Sequence, residues 1–401
     1  MKIGIVTTWF PSGAGYVSKA YEKSLAASNK VFIYARGGQN RKNDPEWDLF
    51  NVCWAPSSYN GINTKHFIKW AKKLNLDVIL FNEQRYWEPL IVAKKNGFCI
   101  GAYIDYYTSD TIKAFKIYDF VLCNTKRHYS AFDWHSNSYY IPWGTDVRKF
   151  QPRVVTKKTR TFIVSAGWQG KYQGDRRGSL LAMKAFKKVK GNCRLLIYSQ
   201  VPFNDCRDEW KELITEDNRI TFIYGTFDPF PYYQGDVFIY PSRLDGIGLT
   251  LAEAISSGLP SITTNSPPMN EFVREGVSGK LVDVDHYLGR NDGYYWAQSI
   301  CNVRSLQNAI QYFVNIDNQS LQKFKDSTRH FAEVNLDWKN NARDINNIFK
   351  QELIKHNDSK ESLSSELIHT LRRLDRIFKP SILIEFSQFA RSIFSYLKTK
   401  F

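Results

Sequence analysis

The chain has 401 residues, 43% of them apolar and 23% charged, with a formal net charge of +16. That composition excludes an intrinsically disordered chain, and the length favours two hydrophobic cores over one. The charge calls for an anionic partner (nucleic acid, an acidic membrane surface or a phosphorylated substrate), and residues 1–153 hold most of it, with 21 Lys and Arg against 12 Asp and Glu.

In chain order, β-rich runs alternate with helical patterns. KIGIVTT (2–8) reads as a strand entering a turn, without the long apolar core of a leader peptide. KVFIYA (30–35), DVILF (77–81), FCIGAYI (98–104), FVLCN (120–124) and YYIPW (139–143) follow as strands, and the polar stretch 144–159 reads as a linker. A second set comprises TFIVSAG (161–167), CRLLIYS (193–199), ITFIYG (220–225), DVFIYPS (236–242) and PSITTN (260–265). Helical patterns such as 178–190 and 249–257 lie between them. This alternation implies an α/β protein of two Rossmann-like domains, 1–153 and 154–335, each with a parallel sheet covered on both faces.

Over 337–354, Trp338, Ala342, Ile345, Phe349 and Leu353 share one helical face, so 336–355 is expected to be a helix packing back towards the N-terminal domain. Residues 356–401 form a basic amphipathic tail. Leu367, Leu371, Leu374 and Phe378 recur at helical spacing among Arg372, Arg373 and Arg376, and Ile382, Phe386, Phe389, Ile393 and Leu397 continue the pattern beyond Pro380. Such a stripe suits a membrane surface, or docking on the protein itself or a second subunit. No window approaches the roughly 18 uninterrupted apolar residues of a membrane span. Six scattered cysteines without metal-ligand spacing suit reduced thiols in a cytosolic compartment.

The chemistry is expected in YPSRLDGIGLTLAEAISSGLPSITTN (240–265). A buried strand passes through RLDGIG into a helix ended by Gly258, with Pro260 two residues on. Gly246 and Gly248 open backbone conformations closed to other residues and let a ligand approach the main chain. The amides of Gly246, Ile247, Gly248, Leu249 and Thr250 at the helix start suit an oxyanion or sugar hydroxyls. Glu253, about one turn into the helix, could accept hydrogen bonds from the two ribose hydroxyls of a nucleotide. Asp245, on the loop, could meet the sugar being transferred. The plain alternative makes Glu253 a solvent-facing helix residue and Asp245 a turn former.

The run 232–265 resembles the donor-binding signature of retaining GT-B glycosyltransferases of the family-four type (glycosyltransferase group 1). There, two acids separated by seven residues flank a glycine–apolar–glycine loop. The likeness continues into NEFVREGVSGKLVDV (270–284) and reappears in YYIPWGTDVRKFQP (139–152); it spans roughly residues 1–350 and is strongest over 220–284. It implies a GT-B fold, two Rossmann-like domains facing across a cleft, here followed by a helical basic tail. It also implies retaining hexosyl transfer from a nucleotide-sugar to a glycan or lipid-linked saccharide, in cell-surface polysaccharide or glycoconjugate assembly.

The chain departs from the family in places. The first acid is usually Glu, and Asp245 is one methylene shorter. The family's diphosphate-clamping arginine and lysine map onto SAGWQGKYQGDRRGSLLAM. The lysine-glycine step appears as Arg177-Gly178. The arginine position falls on Lys171 if the spacing is kept, or on Trp168 if the strand end is aligned. Lys171 is preferred because a leaving diphosphate needs a cation, and Arg176 is expected to share the task. Gly13 and Gly15, after the first strand, resemble the glycine loop facing the donor phosphates and the acceptor. Asp105 stands where the family often has a His-Asp step, without the histidine. None of the seven histidines follows a strand at that place, and His128 and His135 read as surface groups.

In this reading Lys171 and Arg177 replace a divalent metal, and neither metal nor cofactor is expected. The expected partners are a nucleotide-sugar, a saccharide or lipid-linked acceptor and an anionic membrane surface, met through the basic first domain and the tail from the cytoplasmic side. Nucleic acid is not expected, because no helix-turn-helix, zinc-finger or RNP signature is present. The competing reading is a GT-B-shaped partner or glycan-binding protein that has lost the chemistry.

Overall fold

The computed structural model describes residues 1–56, 62–153, 158–168, 175–359 and 363–378. Lys171 and the tail pattern from Pro380 onward lie outside them.

The first domain runs β1 (Lys2–Thr8), α1 (Gly13–Ala26), β2 (Lys30–Gly37), β3 (Val52–Trp54), α2 (Thr64–Leu74), β4 (Val78–Asn82), α3 (Glu88–Lys95), β5 (Cys99–Tyr103) and β6 (Phe120–Cys123); α4 (Lys126–Ala131) and β7 (Ser138–Tyr140) follow. The sheet order is β3-β2-β1-β4-β5-β6-β7. Every residue of β4 and β5 is buried, so these strands read as unbroken apolar runs, as both-face coverage requires.

The second domain runs β8 (Arg160–Gly167), α5 (Ser179–Lys187), β9 (Cys193–Ser199), α6 (Asp208–Glu216), β10 (Ile220–Tyr224), β11 (Val237–Tyr240), α7 (Leu249–Ser256), β12 (Ser261–Thr264), α8 (Met269–Phe272) and β13 (Gly279–Val282). Its strands lie in the order β10-β9-β8-β11-β12-β13, with parallel pairing throughout. An antiparallel hairpin, β14 (Val284–Leu288) with β15 (Gln298–Cys301), follows, then α9 (Val303–Asn315), α10 (Asn318–Asn335) and α11 (Trp338–Asn341). The hairpin is absent from the sequence reading. Phe162, Phe186, Trp210 and Phe313 fill the core beneath the sheet.

The compact units are not the contiguous blocks 1–153 and 154–335. One comprises Met1–Leu122, Trp134–Tyr139 and the chain from Asp344; the other comprises Cys123–Asp133 and Tyr140–Arg343. The stretch expected to be a linker is tied to the second unit by Arg329, whose Nη1 donates to the carbonyls of Val147 (2.9 Å), Phe150 (2.8 Å) and Ser256 (2.6 Å). Irregular buried backbone needs such donors, and a charged one is among the strongest available.

The helical face over 337–354 is broken. Asp337 caps α11 through the Lys339 amide, and Trp338 packs on Trp143, centroids 4.8 Å apart, in the second unit. The chain turns before α12 (Ile345–Asp358), whose Phe349 packs on Phe120 at 5.0 Å in the first unit. The two halves of the stripe fill two different cores, which periodicity cannot reveal.

Of the surfaces open to the basic stripe, α13 (Ser365–Phe378) takes the protein's own. Leu371 is fully buried and Leu374 nearly so, against α3 and the 3-10 turn at 112–117. Asp375 accepts hydrogen bonds from the Trp87 and Glu88 amides, both at 2.9 Å, and so caps α3; Arg372 pairs with Glu88 at 2.9 Å. Docking on the protein itself is what α13 does, because its leucines and an uncapped helix start satisfy each other. Leu371→Asp is expected to cost about 3 kcal/mol and release α13, seen as faster tryptic cleavage after Arg372 or Arg373. Unchanged cleavage would remove α13 from the fold's essential contacts.

All six cysteines are free thiols. Ligand atoms of Cys99, Asp119 and His356 lie within 4.8 Å of one another. Lys94 already sits 2.6 Å from Asp119, and the His356 ring nitrogens face Asp119 (3.0 Å) and the Gly97 carbonyl (3.1 Å), so these groups answer one another as an ion-pair cluster. No helix among the described residues is long and apolar enough to cross a membrane.

Candidate functional site

The site is built where β11 hands over to α7. Tyr240 ends the strand, and the loop closes at Gly248, whose left-handed conformation (φ 61°, ψ 49°) starts the helix. A side chain there would be strained, and its Cβ would lie 2.9 Å from Met269. The α7 N-cap is a glycine and the first turn contains no acid; the Gly248 backbone hydrogen-bonds the Asp245 carboxyl, which therefore faces the positive end of the helix. The Thr250 hydroxyl, in that first turn, is buried without a hydrogen-bond partner among the described residues, a demand that a ligand oxygen would meet.

Asp245 is half-buried. The Tyr240 hydroxyl donates to its Oδ2, and the Gly246 amide to Oδ1 at 2.8 Å. Burial opposes its ionisation, but Arg176, the Tyr240 hydroxyl, Arg177 and the Gly248 backbone outweigh it and hold the carboxyl below its usual range. Asp245 is therefore an anion whose geometry is set before any ligand arrives.

Glu253 is the reverse. The Tyr232 hydroxyl lies 2.8 Å from its Oε2 and 3.0 Å from the Thr250 carbonyl. Burial pushes the Glu253 carboxyl up to about 7, against the pull of Tyr232, Lys149 and Arg177 and with Asp228 adding to the rise. At neutral pH this carboxyl is poised between two forms, and only the ionised form accepts two hydroxyl hydrogen bonds.

Arg177 acts electrostatically on both acids. Its Nη1 donates to the Ser165 carbonyl (3.1 Å) and hydroxyl (2.8 Å), and its guanidinium lies against Gly167 and over the Tyr240 ring at 5.9 Å. Arg176 is exposed, and its carbonyl accepts from the Arg243 amide at 2.8 Å, which ties the β8–α5 loop to the β11–α7 loop. Asp175, missed in the sequence, caps α5 through the Ser179 (2.9 Å) and Leu180 (2.7 Å) amides. The start of α5 is thus occupied by a carboxylate. Trp168 is 66% exposed.

The sequence reading also missed α4. Glu271 accepts from the Lys126 (2.6 Å) and Arg127 (3.0 Å) amides and holds the helix start. Arg127 then reaches the Pro267 carbonyl (2.8 Å) and the Asp245 carbonyl (2.7 Å), with its guanidinium near Trp296 of the hairpin connection. His128 is fully buried, which corrects its reading as a surface group. Burial, then the charge of Arg127, drive its pKa down to about 3 despite a hydrogen bond with the Gly246 backbone, so a neutral imidazole backs the loop. His135 is likewise buried, 3.2 Å from the Tyr118 carbonyl. The fingerprint for Arg127 and His128 was only their place just after a strand, N-capped by Thr125.

Gly13, Gly15 and Asp105 belong to the first unit. Gly13 opens α1, exposed, with Ser12 capping through the Gly15 amide at 3.1 Å. Gly15 is buried, and a Cβ there would come within 2.1 Å of the Phe10 carbonyl, so internal packing already demands glycine. Asp105 lies in the half-buried loop after β5.

Residues 164–289, which span β8 to β14 and hold both acids, match the family described as Glycosyl transferases group 1. The second domain resembles a group 1 glycosyltransferase domain over these residues. The chain resembles the alpha-monoglucosyldiacylglycerol synthase of Streptococcus pneumoniae, with 24% identity over 163 residues that make up 37% of each protein. It resembles the O-antigen chain mannosyltransferase B of Escherichia coli, with 31% identity over 103 residues, 24% of this chain and 27% of that one. These matches span about a third of the curated relatives' length. Among solved structures, Anabaena HepE in complex with UDP-glucose is similar at a TM-score of 0.67 over 88% of this chain and 100% of that one, with 15% identity. The two Rossmann-like domains are those of the GT-B fold, and Asp245, Glu253, Arg176 and Arg177 all lie within the matched residues 164–289.

Proposed function

We propose that the protein is a glycosyltransferase that moves a hexose from a nucleotide-sugar to a saccharide or lipid-linked saccharide, with retention at the anomeric carbon, in glycan or polysaccharide assembly. One observation carries this reading. Two half-buried acids of opposite character stand at the glycine start and in the body of one short helix, and one arginine acts on both.

Glu253 accepts from the ribose hydroxyls. Asp245 and the amides from Gly246 to Leu249 orient the sugar, and the Thr250 hydroxyl finds its partner on the donor. As the bond from the anomeric carbon to the diphosphate oxygen breaks, its electron pair stays on the diphosphate. Arg177 and Arg176 stabilise that charge, with Lys171 as a third cation, and the scheme calls for no metal. The acceptor hydroxyl bonds to the same face of the sugar, and its proton leaves with the diphosphate. The first-domain residues Gly13, Gly15 and Asp105 are assigned to the acceptor side, and the protein works peripherally at the inner face of a membrane. The UDP-glucose bound to HepE makes a uridine donor the first to try.

The test is a hydrolysis assay over UDP- and GDP-sugars. Turnover of at least one is expected, with Asp245→Asn and Arg177→Met each lowering it roughly 100-fold at unchanged circular dichroism. A folded wild type that neither hydrolyses any of them nor binds UDP or GDP sinks the reading and leaves the non-catalytic partner.

A further inference from the structure

We infer that the outward face of α2 is the surface through which the protein rests on an anionic lipid bilayer. The inference deepens the proposed function, giving a lipid-linked acceptor's membrane a place on the chain, and its test does not depend on turnover.

An open groove of about 770 Å³ runs along this face. Lys65, Lys69, Lys72 and Lys73 surround an apolar floor of Ile68 and Val92, the latter from α3. The opposite face of α2 is anchored in the first domain by Phe67, Trp70 and Ala71, all buried. Asn63 caps the helix start through the His66 amide at 3.1 Å, and Asn75 closes its end in the left-handed conformation (φ 50°). The helix therefore stands ready without a partner.

Its charges are unanswered. No acidic residue occurs in α2, and no carboxylate among the described residues lies in ion-pair range of the four lysines. On the neighbouring helices the pattern differs, since Lys94 pairs with Asp119 and Arg372 with Glu88. Lys65 with Lys69, and Lys69 with Lys73, are like charges one turn apart, which destabilises a helix unless something negative covers them.

The floor decides which polyanion fits. A nucleic-acid backbone has no use for Ile68 and Val92 between the ammonium groups. A lipid headgroup layer does, because lysine stems and aliphatic side chains lie at the acyl boundary while the ammonium groups meet phosphates. The leucines of α13, by contrast, are already consumed inside the first domain.

The experiment is co-sedimentation of the full chain with vesicles of phosphatidylcholine alone or mixed with phosphatidylglycerol. Binding is expected only to the anionic vesicles, and it should weaken as salt rises. The quadruple variant Lys65→Gln, Lys69→Gln, Lys72→Gln, Lys73→Gln should bind them roughly 100-fold more weakly. These lysines are exposed or half-exposed, so the variant is expected to fold, and Arg373→Gln with Arg376→Gln on α13 serves as a charge-loss control that retains binding. Equal partitioning of the quadruple variant and wild type overturns the proposal. So does wild-type protein that ignores the anionic vesicles, including one that binds polyuridylate instead. Nucleotide-sugar hydrolysis without acceptor should survive in the quadruple variant, so absent hydrolysis with intact lipid binding speaks against the proposed function alone.

Discussion

Glu253→Gln is expected to make the protein more stable above pH 7 while weakening its hold on nucleotide. The Glu253 carboxyl titrates near 7 in the folded chain, against an ordinary value of 4.5. Below pH 4.5 both states carry the proton and the residue is neutral towards stability. Between 4.5 and 7 the unfolded chain releases that proton while the folded chain keeps it, so stability falls with rising pH. Above 7 the penalty is complete, at roughly 3 kcal/mol as an upper bound.

Glutamine carries no charge to bury and still accepts the Tyr232 hydroxyl hydrogen bond. Urea unfolding should therefore show the variant ahead by up to this amount at pH 8 and level with wild type at pH 4. Calorimetry should show nucleoside diphosphate affinity reduced at least tenfold, because an amide offers one acceptor oxygen where the carboxylate offers two. Wild-type affinity should itself decline as the pH drops below 7. A variant that is no more stable at pH 8, or that binds nucleotide as wild type does, would remove Glu253 from its role. A residue that lowers stability and is needed for binding is the signature of a functional position.

Arg127→Met is expected to lower turnover roughly 100-fold and leave nucleotide affinity within about threefold. Arg127 touches neither end of the proposed donor; it positions the loop through the Asp245 and Pro267 carbonyls. Hydrogen bonds from a charged donor are worth about 1.5–3 kcal/mol each, and methionine leaves both carbonyls unanswered. The loop from Arg243 to Gly248 should loosen, read as faster amide exchange there than in β12. Glu253, held by Tyr232 on the body of α7, should keep its grip on the nucleotide. Arg127→Lys should recover only part of the rate, since a point ammonium cannot serve two carbonyls as a planar fork does. Parallel loss of turnover and nucleotide binding would show a residue needed only for folding.

The loop between β11 and α7 was legible because its parts are local. A strand, two glycines, a helix and two acids all fall between Val237 and Gly258, and every constraint among them acts over a few residues. Arg127 was not legible, because its carbonyl partners lie 118 and 140 residues away. The same holds for His128, which its place in the sequence suggested for the surface and packing put inside. The hairpin of β14 and β15 hides in a polar, aromatic run whose alternation is broken by Gly289, Asp292 and Gly293.

Period and turn chemistry were enough to specify two parallel-sheet domains and the strand–glycine loop–helix around Asp245, because backbone preference and apolar spacing act over short range. Which surfaces those elements cover was settled in three dimensions. The stripes on 337–354 and 365–378 state that something must be buried, but burial is non-directional and does not name the partner. Folding assigned Trp338 to one core, Phe349 to another and Leu371 to α3, and left the lysines of α2 as a basic face with no carboxylate partner among the described residues.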